Sequence, residues 1–236
     1  MISPSYEDRE QTAVKHKILT RYLSALIPIV GAWASDFTYI DCLAGPWKSV
    51  DPELKDTSFA QAIAVLRSTR DVLKDRGKFP TLRCLFIEND PIAFNRLKEY
   101  CDGITDIEVS AQNWDLTNHI QDVVNFVHQR DKPFSFVFID PTGWEQLEID
   151  LIRPILALNP GEVLINLMTS WITRFISDKS KHLEPLFGDD LERLAHLKGE
   201  EQEAEVVNTY ANLVRSGDSG GCVAPDILNM FAHCQY

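Results

Sequence analysis

Cysteine is scarce in this sequence, and none of its five cysteines forms a C-x-x-C pair. An odd number without close pairs is neither a disulfide framework nor a zinc-ligand pattern. His16, His119 and His128 show no metal-ligand spacing either, so no metal site is predicted. Disulfide-stabilised secreted domains and cysteine-ligated zinc proteins are therefore excluded, and reduced thiols in a cytoplasmic protein are expected. The cysteines are Cys42, Cys84, Cys101, Cys222 and Cys234.

Long hydrophobic runs are also missing. The longest weakly polar stretch, residues 25–34, is shorter than the ~20 apolar residues that a membrane-spanning helix needs. Residues 1–8 do not combine a basic segment with a following apolar segment, so no signal peptide is predicted. The sequence therefore predicts a protein without a membrane segment.

Basic residues are outnumbered by acidic ones, 23 to 35, which gives a formal net charge of −12. Such a chain repels polyphosphates on average, so non-specific nucleic-acid binding is disfavoured, although a local basic patch could still dock RNA or DNA. The apolar content of 44% and the charged content of 25% are typical of a globular protein. With 236 residues, the chain is long enough for one large domain with a substantial core.

Four short apolar runs each end on an acid or an amide. A parallel strand covered on both faces has this continuous apolar pattern. In open α/β sheets, ligands bind at the carboxyl ends of the strands. If these strands are parallel neighbours, their polar tips line one crevice. The runs are 37–40, 85–87, 136–139 and 163–165, and they lead to Asp41, Glu88, Asp140 and Asn166.

The wider pattern alternates strands and helices five times between residues 37 and 167. This alternation predicts an α/β fold with a doubly wound, Rossmann-like parallel sheet. We expect residues 1–168 to form this domain, including an N-terminal helix over 7–27 that Pro28 bends or ends. Residues 169–236 are expected to form a mostly helical extension packed on it. Further predicted elements are strands at 82–87, 107–111, 134–139 and 162–167, and a helix over 150–158 interrupted at Pro154.

Glycine is scarce where a dinucleotide site would need it. The loop after the first strand has only Gly45, and Glu88 comes 43 residues later. A nicotinamide site would show G-x-G-x-x-G and an acid about 20 residues on, so a dehydrogenase is disfavoured. An acid after the second strand still suits a ribose, whose hydroxyls can both donate to one carboxylate. S-adenosylmethionine is a nucleoside ligand without pyrophosphate, and Asp41 would suit its cationic amino-acid end. The alternative for Glu88 is a simple cap on the next helix.

The Asp140-Pro141 turn follows the fourth predicted strand and is the main candidate for catalysis. Its carboxylate could accept hydrogen bonds from an amine and hold it against a methyl group. Trp144 could stack on a planar substrate, and Asn166 could contact the same substrate. Asn113, after the third strand, could recognise an adenine amine. The alternatives are a strand-ending Asp-Pro turn, a packed aromatic side chain and an ordinary loop.

These residues belong to a longer series of short motifs. They are Lys15-His16-Lys17-Ile18-Leu19 with Tyr22-Leu23, Tyr39-Ile40-Asp41 with Ala44-Gly45-Pro46, Phe86-Ile87-Glu88, Phe138-Ile139-Asp140-Pro141 with Gly143, Leu164-Ile165-Asn166-Leu167-Met168, Arg174-Phe175, and Leu186-Phe187-Gly188. In this order, the motifs resemble the three-Cys-motif partner family (TcmP). The resemblance runs from about His16 to Gly188.

The resemblance implies a class I methyltransferase fold with S-adenosylmethionine as cofactor. It implies a partner as well, a three-Cys-motif protein similar to radical S-adenosylmethionine enzymes. The cofactor residues would be Asp41, Ala44, Gly45, Glu88 and Asn113. Catalysis would fall to Asp140 and Pro141, and substrate binding to Trp144 and Asn166.

The chain departs from the family pattern at Trp47, where the family has a glycine. An indole there would fill part of the cofactor pocket. Residues 222–236 also show no clear sign of the antiparallel strand pair that usually ends such a sheet. The function expected from the resemblance is methyl transfer, with a nucleic acid or nucleotide as the acceptor. The alternative is a catalytically silent partner protein that keeps the fold as an interaction surface.

Overall fold

A computed structural model describes residues 10–46, 49–177 and 181–217. The described strands are β1 (Asp36–Asp41), β2 (Thr81–Ile87), β3 (Glu108–Gln112), β4 (Phe134–Ile139) and β5 (Gly161–Ile165). The described α-helices are α1 (Glu10–Val30), α2 (Ser58–Asp75), α3 (Pro91–Asp102), α4 (Leu116–His128), α5 (Ile149–Leu156), α6 (Thr169–Ser177), α7 (Glu184–Phe187), α8 (Asp190–Ala195) and α9 (Gly199–Gly217).

The five strands form one parallel sheet in the order β3-β2-β1-β4-β5. This confirms the predicted Rossmann-like α/β fold. The chain builds outward from β1 through β2 to β3, and then returns to the other side of β1 with β4. Asp41 pairs in register with Phe86 on one side and with Phe138 on the other. The strand order therefore reverses next to Asp41, where α/β sheets bind their ligands.

Both faces of the sheet are covered, which explains the continuous apolar runs. On β1, Phe37 and Tyr39 pack with α1, α2 and α3, whereas Ile40 packs with the opposite cluster. Successive side chains of a strand point to opposite faces, so every position of a doubly covered strand is buried. All six residues of β1 and of β4 are buried accordingly.

Helix α1 continues through Pro28 to Val30, so Pro28 does not end it, and a bend at Pro28 stays a prediction. Proline removes one helical hydrogen bond and disfavours the turn before it. Here the turn is held by packing, because Ile27 and Val30 are buried and Gly31 lies directly against Leu73 of α2. Tertiary contacts thus override the local signal.

Proline does not interrupt α5 either. The helix runs from Ile149 to Leu156 with Pro154 inside it, and Ile152 and Ile155 are fully buried. The predicted helix therefore exists, but the prediction of an interruption at Pro154 was wrong, because tertiary packing holds this turn as it does in α1.

Capping side chains fix the starts of three helices. The Asp90 carboxylate accepts hydrogen bonds from the backbone N–H groups of Ile92 and Ala93 at 3.0 and 2.8 Å, with Pro91 at the first helical position. Thr57 caps α2 and Asp115 caps α4 in the same way. Side-chain acceptors satisfy the N–H groups that a helix leaves unpaired at its start, so these caps are local and readable from sequence.

The helices after β5 pack on the face of the sheet that carries α4 and α5. Tyr210 of α9 is fully buried, and its hydroxyl donates to the carbonyl oxygen of Leu147 at 2.8 Å. The division of the chain at residue 168 stays a prediction. The region 222–236, where no strand pair was expected, lies outside the described residues. Within the described ranges, no helix has the length and apolar character to cross a membrane.

Candidate functional site

The four polar tips lie on one edge of the sheet. Asp41 ends β1, and Glu88, Asp140 and Asn166 follow β2, β4 and β5 directly. These strands are neighbours in the order β2-β1-β4-β5, so the predicted arrangement of the tips is correct. The side-chain amide of Asn166 donates to Oδ1 of Asp140 at 2.6 Å. The roles of these residues in binding or catalysis stay predictions.

Asp41 is completely buried. Its Oδ2 accepts a hydrogen bond from the Ser58 hydroxyl at 2.6 Å, and its Oδ1 accepts from the backbone N–H of Leu43 at 3.3 Å. Burial raises the pKa of Asp41 to about 7; the hydrogen bonds from Ser58, Leu43 and Tyr39 lower it, and the charge of Asp140 raises it. Asp41 therefore changes its protonation state near neutral pH and also anchors the loop that follows β1.

Asp140 is paired with Lys15 of α1. The Lys15 ammonium donates to both carboxylate oxygens, at 2.9 Å to Oδ1 and 2.6 Å to Oδ2. The two side chains are only 21% and 19% exposed. Sequence reasoning missed this contact, because 125 residues separate the partners. The only available signal was the place of Lys15 in the first family-like motif.

Glu88 is buried as well, with 2% of its surface exposed. Its Oε1 accepts from the backbone N–H of Asp90 at 2.7 Å. The alternative interpretation as a helix cap is thus partly right, since Glu88 orders the residue that caps α3. Asp90 itself supplies the bonds to the first turn of the helix.

Asn113 connects two strand tips. Its side-chain amide donates to the carbonyl oxygens of Glu88 and Asn89 at 2.8 and 3.1 Å. These N–H groups therefore hold the loop after β2, and recognition of an adenine amine stays a prediction. Next to it, Trp114 stacks on His119 with ring centroids 5.1 Å apart and an interplanar angle of 4°. Sequence reasoning did not foresee this stacked pair.

The loop after β1 crosses the end of β2. The backbone N–H of Ala44 donates to the carbonyl oxygen of Ile87 at 2.8 Å, and Arg96 donates to the carbonyl oxygen of Pro46 at 3.2 Å. Gly45 lies between these two anchored points and is half-buried. Trp47 lies outside the described residues, so the prediction of an indole in the cofactor pocket stays open.

Aromatic side chains follow the tips of β4 and β5. Trp144 is half-buried and meets the Phe175 ring edge-on, with centroids 4.9 Å apart. Phe175 in turn contacts Trp171, which is 47% exposed. Trp144 is thus partly packed, as the alternative held, while the group still offers an aromatic surface to solvent. Pro141 is buried beneath the turn after Asp140.

This edge of the sheet is rich in buried or partly buried acids. Asp41, Glu88 and Asp140 are carboxylates, and Lys15 is the cation paired with one of them. Among the described residues, no group of three His, Cys, Asp or Glu side chains could hold a metal ion.

Comparison with known sequences adds no identity to this geometry. No protein-family model matches the chain, and no curated protein matches it significantly. The resemblance to three-Cys-motif partner proteins therefore stays a prediction that rests on the motifs.

Proposed function

We propose that the protein is an S-adenosylmethionine-dependent methyltransferase of the three-Cys-motif partner type. The observation that carries the proposal is the row of tips Glu88, Asp41, Asp140 and Asn166 across the point where the strand order reverses. Such a row puts acids for a nucleoside and its cationic end beside an acid for an acceptor amine.

The residues fit this cofactor by the chemistry of their side chains. Glu88 follows β2, where a carboxylate can accept from both ribose hydroxyls. Asp41 is completely buried, so it would act through its charge and through the loop that it anchors at Leu43. Ala44 and Gly45 would lie against the amino-acid end, and Asn113 would hold the loop beside the adenosine.

When bound, the cofactor would supply an electrophilic methyl group. The protein's part would be to orient the acceptor, for which Asp140 is placed beside β1. Its carboxylate is held by Asn166 at 2.6 Å and can accept hydrogen bonds from an attacking amine. Correct orientation of two reacting groups supplies several kcal/mol of barrier lowering. Pro141, buried next to it, would fix the turn.

The proposed acceptor is a nucleic acid or nucleotide. The support is the aromatic surface of Trp144, Phe175 and Trp171 beside the tips of β4 and β5. Base–aromatic stacking is worth roughly 1–3 kcal/mol per base. Because the chain has a net charge of −12, recognition would depend on this local surface rather than on bulk attraction to phosphates.

A catalytically silent partner protein is the second candidate. The observation that favours it is the burial of both cofactor acids, with Asp41 at 0% and Glu88 at 2% exposed. In that case the fold would serve as a surface for a three-Cys-motif protein similar to radical S-adenosylmethionine enzymes.

Calorimetry separates the two candidates. The chain is titrated with S-adenosylmethionine and S-adenosylhomocysteine, and with NADH as a control for general nucleotide binding. A methyltransferase should bind S-adenosylmethionine and S-adenosylhomocysteine with a micromolar or lower Kd and should not bind NADH. Absence of binding heat for both adenosyl ligands would favour the silent partner.

A further inference from the structure

The amino group of Lys15 lies where the proposed acceptor amine would bind. Its nitrogen is 2.6 and 2.9 Å from the two oxygens of Asp140. Asn166 donates to Oδ1 of the same carboxylate and fixes its orientation. The facing groups are thus the Lys15 ammonium from α1, the Asn166 amide after β5, and the charge of Asp41 from β1.

The pair differs from an ordinary surface salt bridge. Exposed ion pairs contribute little because water competes for both partners, whereas here about four fifths of each side chain is removed from water. Desolvating two charges carries a penalty that the mutual attraction must offset. The burial of the Lys15–Asp140 pair beside the candidate site therefore needs an explanation.

Anchoring of α1 does not require this pair. The helix buries Leu19 and Leu23 completely, and Tyr22 donates to Glu162 of β5 at 2.5 Å. Lys15 touches the carboxyl end of β4, while Tyr22 touches β5 near its start, so α1 runs antiparallel to the strands. The apolar face and the Tyr22 contact would hold the helix in place without the lysine.

We propose that Asp140, oriented by Asn166, forms a subsite for an amino group that Lys15 occupies in the free protein. The acceptor's amine would replace the lysine during turnover. This role in turnover rests on the proposed function, but the subsite itself does not. An ammonium such as that of Lys15 offers three N–H donors and a neutral exocyclic amine offers two, whereas a hydroxyl offers only one, so the subsite selects amino groups over hydroxyls.

The test removes the lysine and supplies its amine separately. Lys15→Ala deletes three methylene groups and the nitrogen, which propylammonium replaces. The melting temperature of the variant is measured with increasing propylammonium chloride at constant ionic strength. Binding to the folded state should raise it by a few degrees in a saturable way. The wild type and the double variant Lys15→Ala/Asp140→Asn should not respond.

Two controls define the effect. Tetramethylammonium carries charge without N–H donors and should not stabilise Lys15→Ala. Lys17→Ala removes an exposed lysine from the same helix and should behave like the wild type. Equal responses of Lys15→Ala and the double variant, or no response of either, would overturn the subsite.

A second measurement uses the wild type in case the variants do not fold. An amine-reactive acetylating reagent is applied briefly, and each lysine is followed by mass spectrometry. Lys15 should react several-fold more slowly than Lys17, because its nitrogen is held by Asp140. Equal rates would refute the occupied subsite. Failure of adenosyl-ligand binding would instead remove the proposed function and leave the subsite standing.

Discussion

The two edges of the sheet both carry buried charges, but they balance them differently. At the amino edge, Arg83 and Arg130 meet Asp36 and Glu108, so two positive charges face two negative ones. At the carboxyl edge, Asp140 pairs with Lys15 of α1, and Asp41 is held by the Ser58 hydroxyl and the Leu43 backbone N–H. The amino-edge cluster is a network of ion pairs that joins neighbouring strands, whereas the carboxyl-edge groups lie where α/β sheets bind their ligands.

Arg83 lies at the centre of the amino-edge cluster, although its Nε and Nη1 make no hydrogen bond among the described residues. The side chain is fully buried, its guanidinium lies 4.2 Å from the Phe126 ring centroid, and it donates to the carbonyl oxygen of Phe126 at 2.8 Å. Its Nε lies 3.5 Å from a carboxylate oxygen of Glu108. Phe126 lies on α4 and Glu108 on β3, so the Arg83 side chain of β2 ties these three elements together.

The carboxyl edge holds its acids mainly through hydroxyl and backbone N–H groups, with one ion pair between Lys15 and Asp140. Asp41 accepts from a hydroxyl and a backbone N–H, and Glu88 accepts from a backbone N–H. Acids at this edge suit a cationic nucleoside ligand better than a dinucleotide with its anionic pyrophosphate, because like charges repel. The following predictions break each edge in turn.

The largest effect is expected for Asp140→Asn. The variant keeps the shape of the side chain but removes the negative charge that would orient an attacking amine. Turnover should fall by roughly a hundredfold or more, mainly in kcat, while affinity for S-adenosylhomocysteine stays within a few-fold. The measurement is methyl transfer from labelled S-adenosylmethionine to the acceptor, with the three-Cys-motif partner present if required.

Asp122→Asn, at an exposed position on α4, is the matched control and should retain wild-type turnover. If a folded Asp140→Asn protein no longer binds S-adenosylhomocysteine, Asp140 is a cofactor ligand and its catalytic assignment is wrong.

Breaking the amino edge should affect stability alone. Arg83→Met leaves Asp36 and Glu108 without the buried cation between them, which should lower the free energy of unfolding by about 3 kcal/mol. Chemical denaturation measures this loss, and affinity for S-adenosylhomocysteine should not change. Arg130→Met removes a guanidinium that is 43% exposed, so its loss should stay within about 1 kcal/mol. Equal losses in the free energy of unfolding would show that the greater burial of Arg83 does not increase its contribution to stability.

The sequence predicted much of the fold, because its signals are local. Continuous apolar runs marked four of the five described strands, and Asp90 and Asp115 cap their helices through bonds within a single turn. The helix end predicted at Pro28 and the interruption predicted at Pro154 were wrong, because packing against distant residues stabilises those helical turns.

In the candidate site, too, local features could be predicted from the sequence and long-range contacts could not. The tips of the strands were predictable, since each acid or amide directly follows its strand. Lys15 at Asp140 and Ser58 at Asp41 were not, because these contacts join residues 125 and 17 positions apart through the tertiary fold. Sequence periodicity carries no information about which helix residue reaches a given strand tip.

Asp41 predicts a pH dependence of the stability that arises at the carboxyl edge. Its pKa is raised from 3.8 in an exposed carboxyl to about 7 in the folded state. Between these values the unfolded chain is ionised while the folded protein still binds a proton, so this group lowers stability as pH rises from about 4 to 7. Above pH 7 the penalty is constant.

Asp41→Asn removes that penalty. Relative to the wild type, the free energy of unfolding of the variant should rise by about 2–3 kcal/mol between pH 5 and pH 8. Denaturation series at several pH values measure the difference, and Asp122→Asn provides the baseline. A difference that stays flat across this range would mean that Asp41 is ionised throughout.

The last prediction, Glu88→Ala, tests the carboxyl edge as a ribose site. A hydrogen bond to a charged acceptor contributes roughly 1.5–3 kcal/mol. Loss of the carboxylate should therefore weaken S-adenosylhomocysteine binding by about tenfold to more than a hundredfold. Glu99→Ala on α3 removes an exposed glutamate from the neighbouring helix and should leave affinity unchanged. Calorimetry on both variants makes the comparison, with a denaturation curve to show that each is folded. Because Glu88 also accepts from the Asp90 N–H, Glu88→Gln is added to keep the shape of the side chain without its charge. If both Glu88 variants bind like the wild type, the acid after β2 only orders the start of α3 and the ribose assignment is wrong.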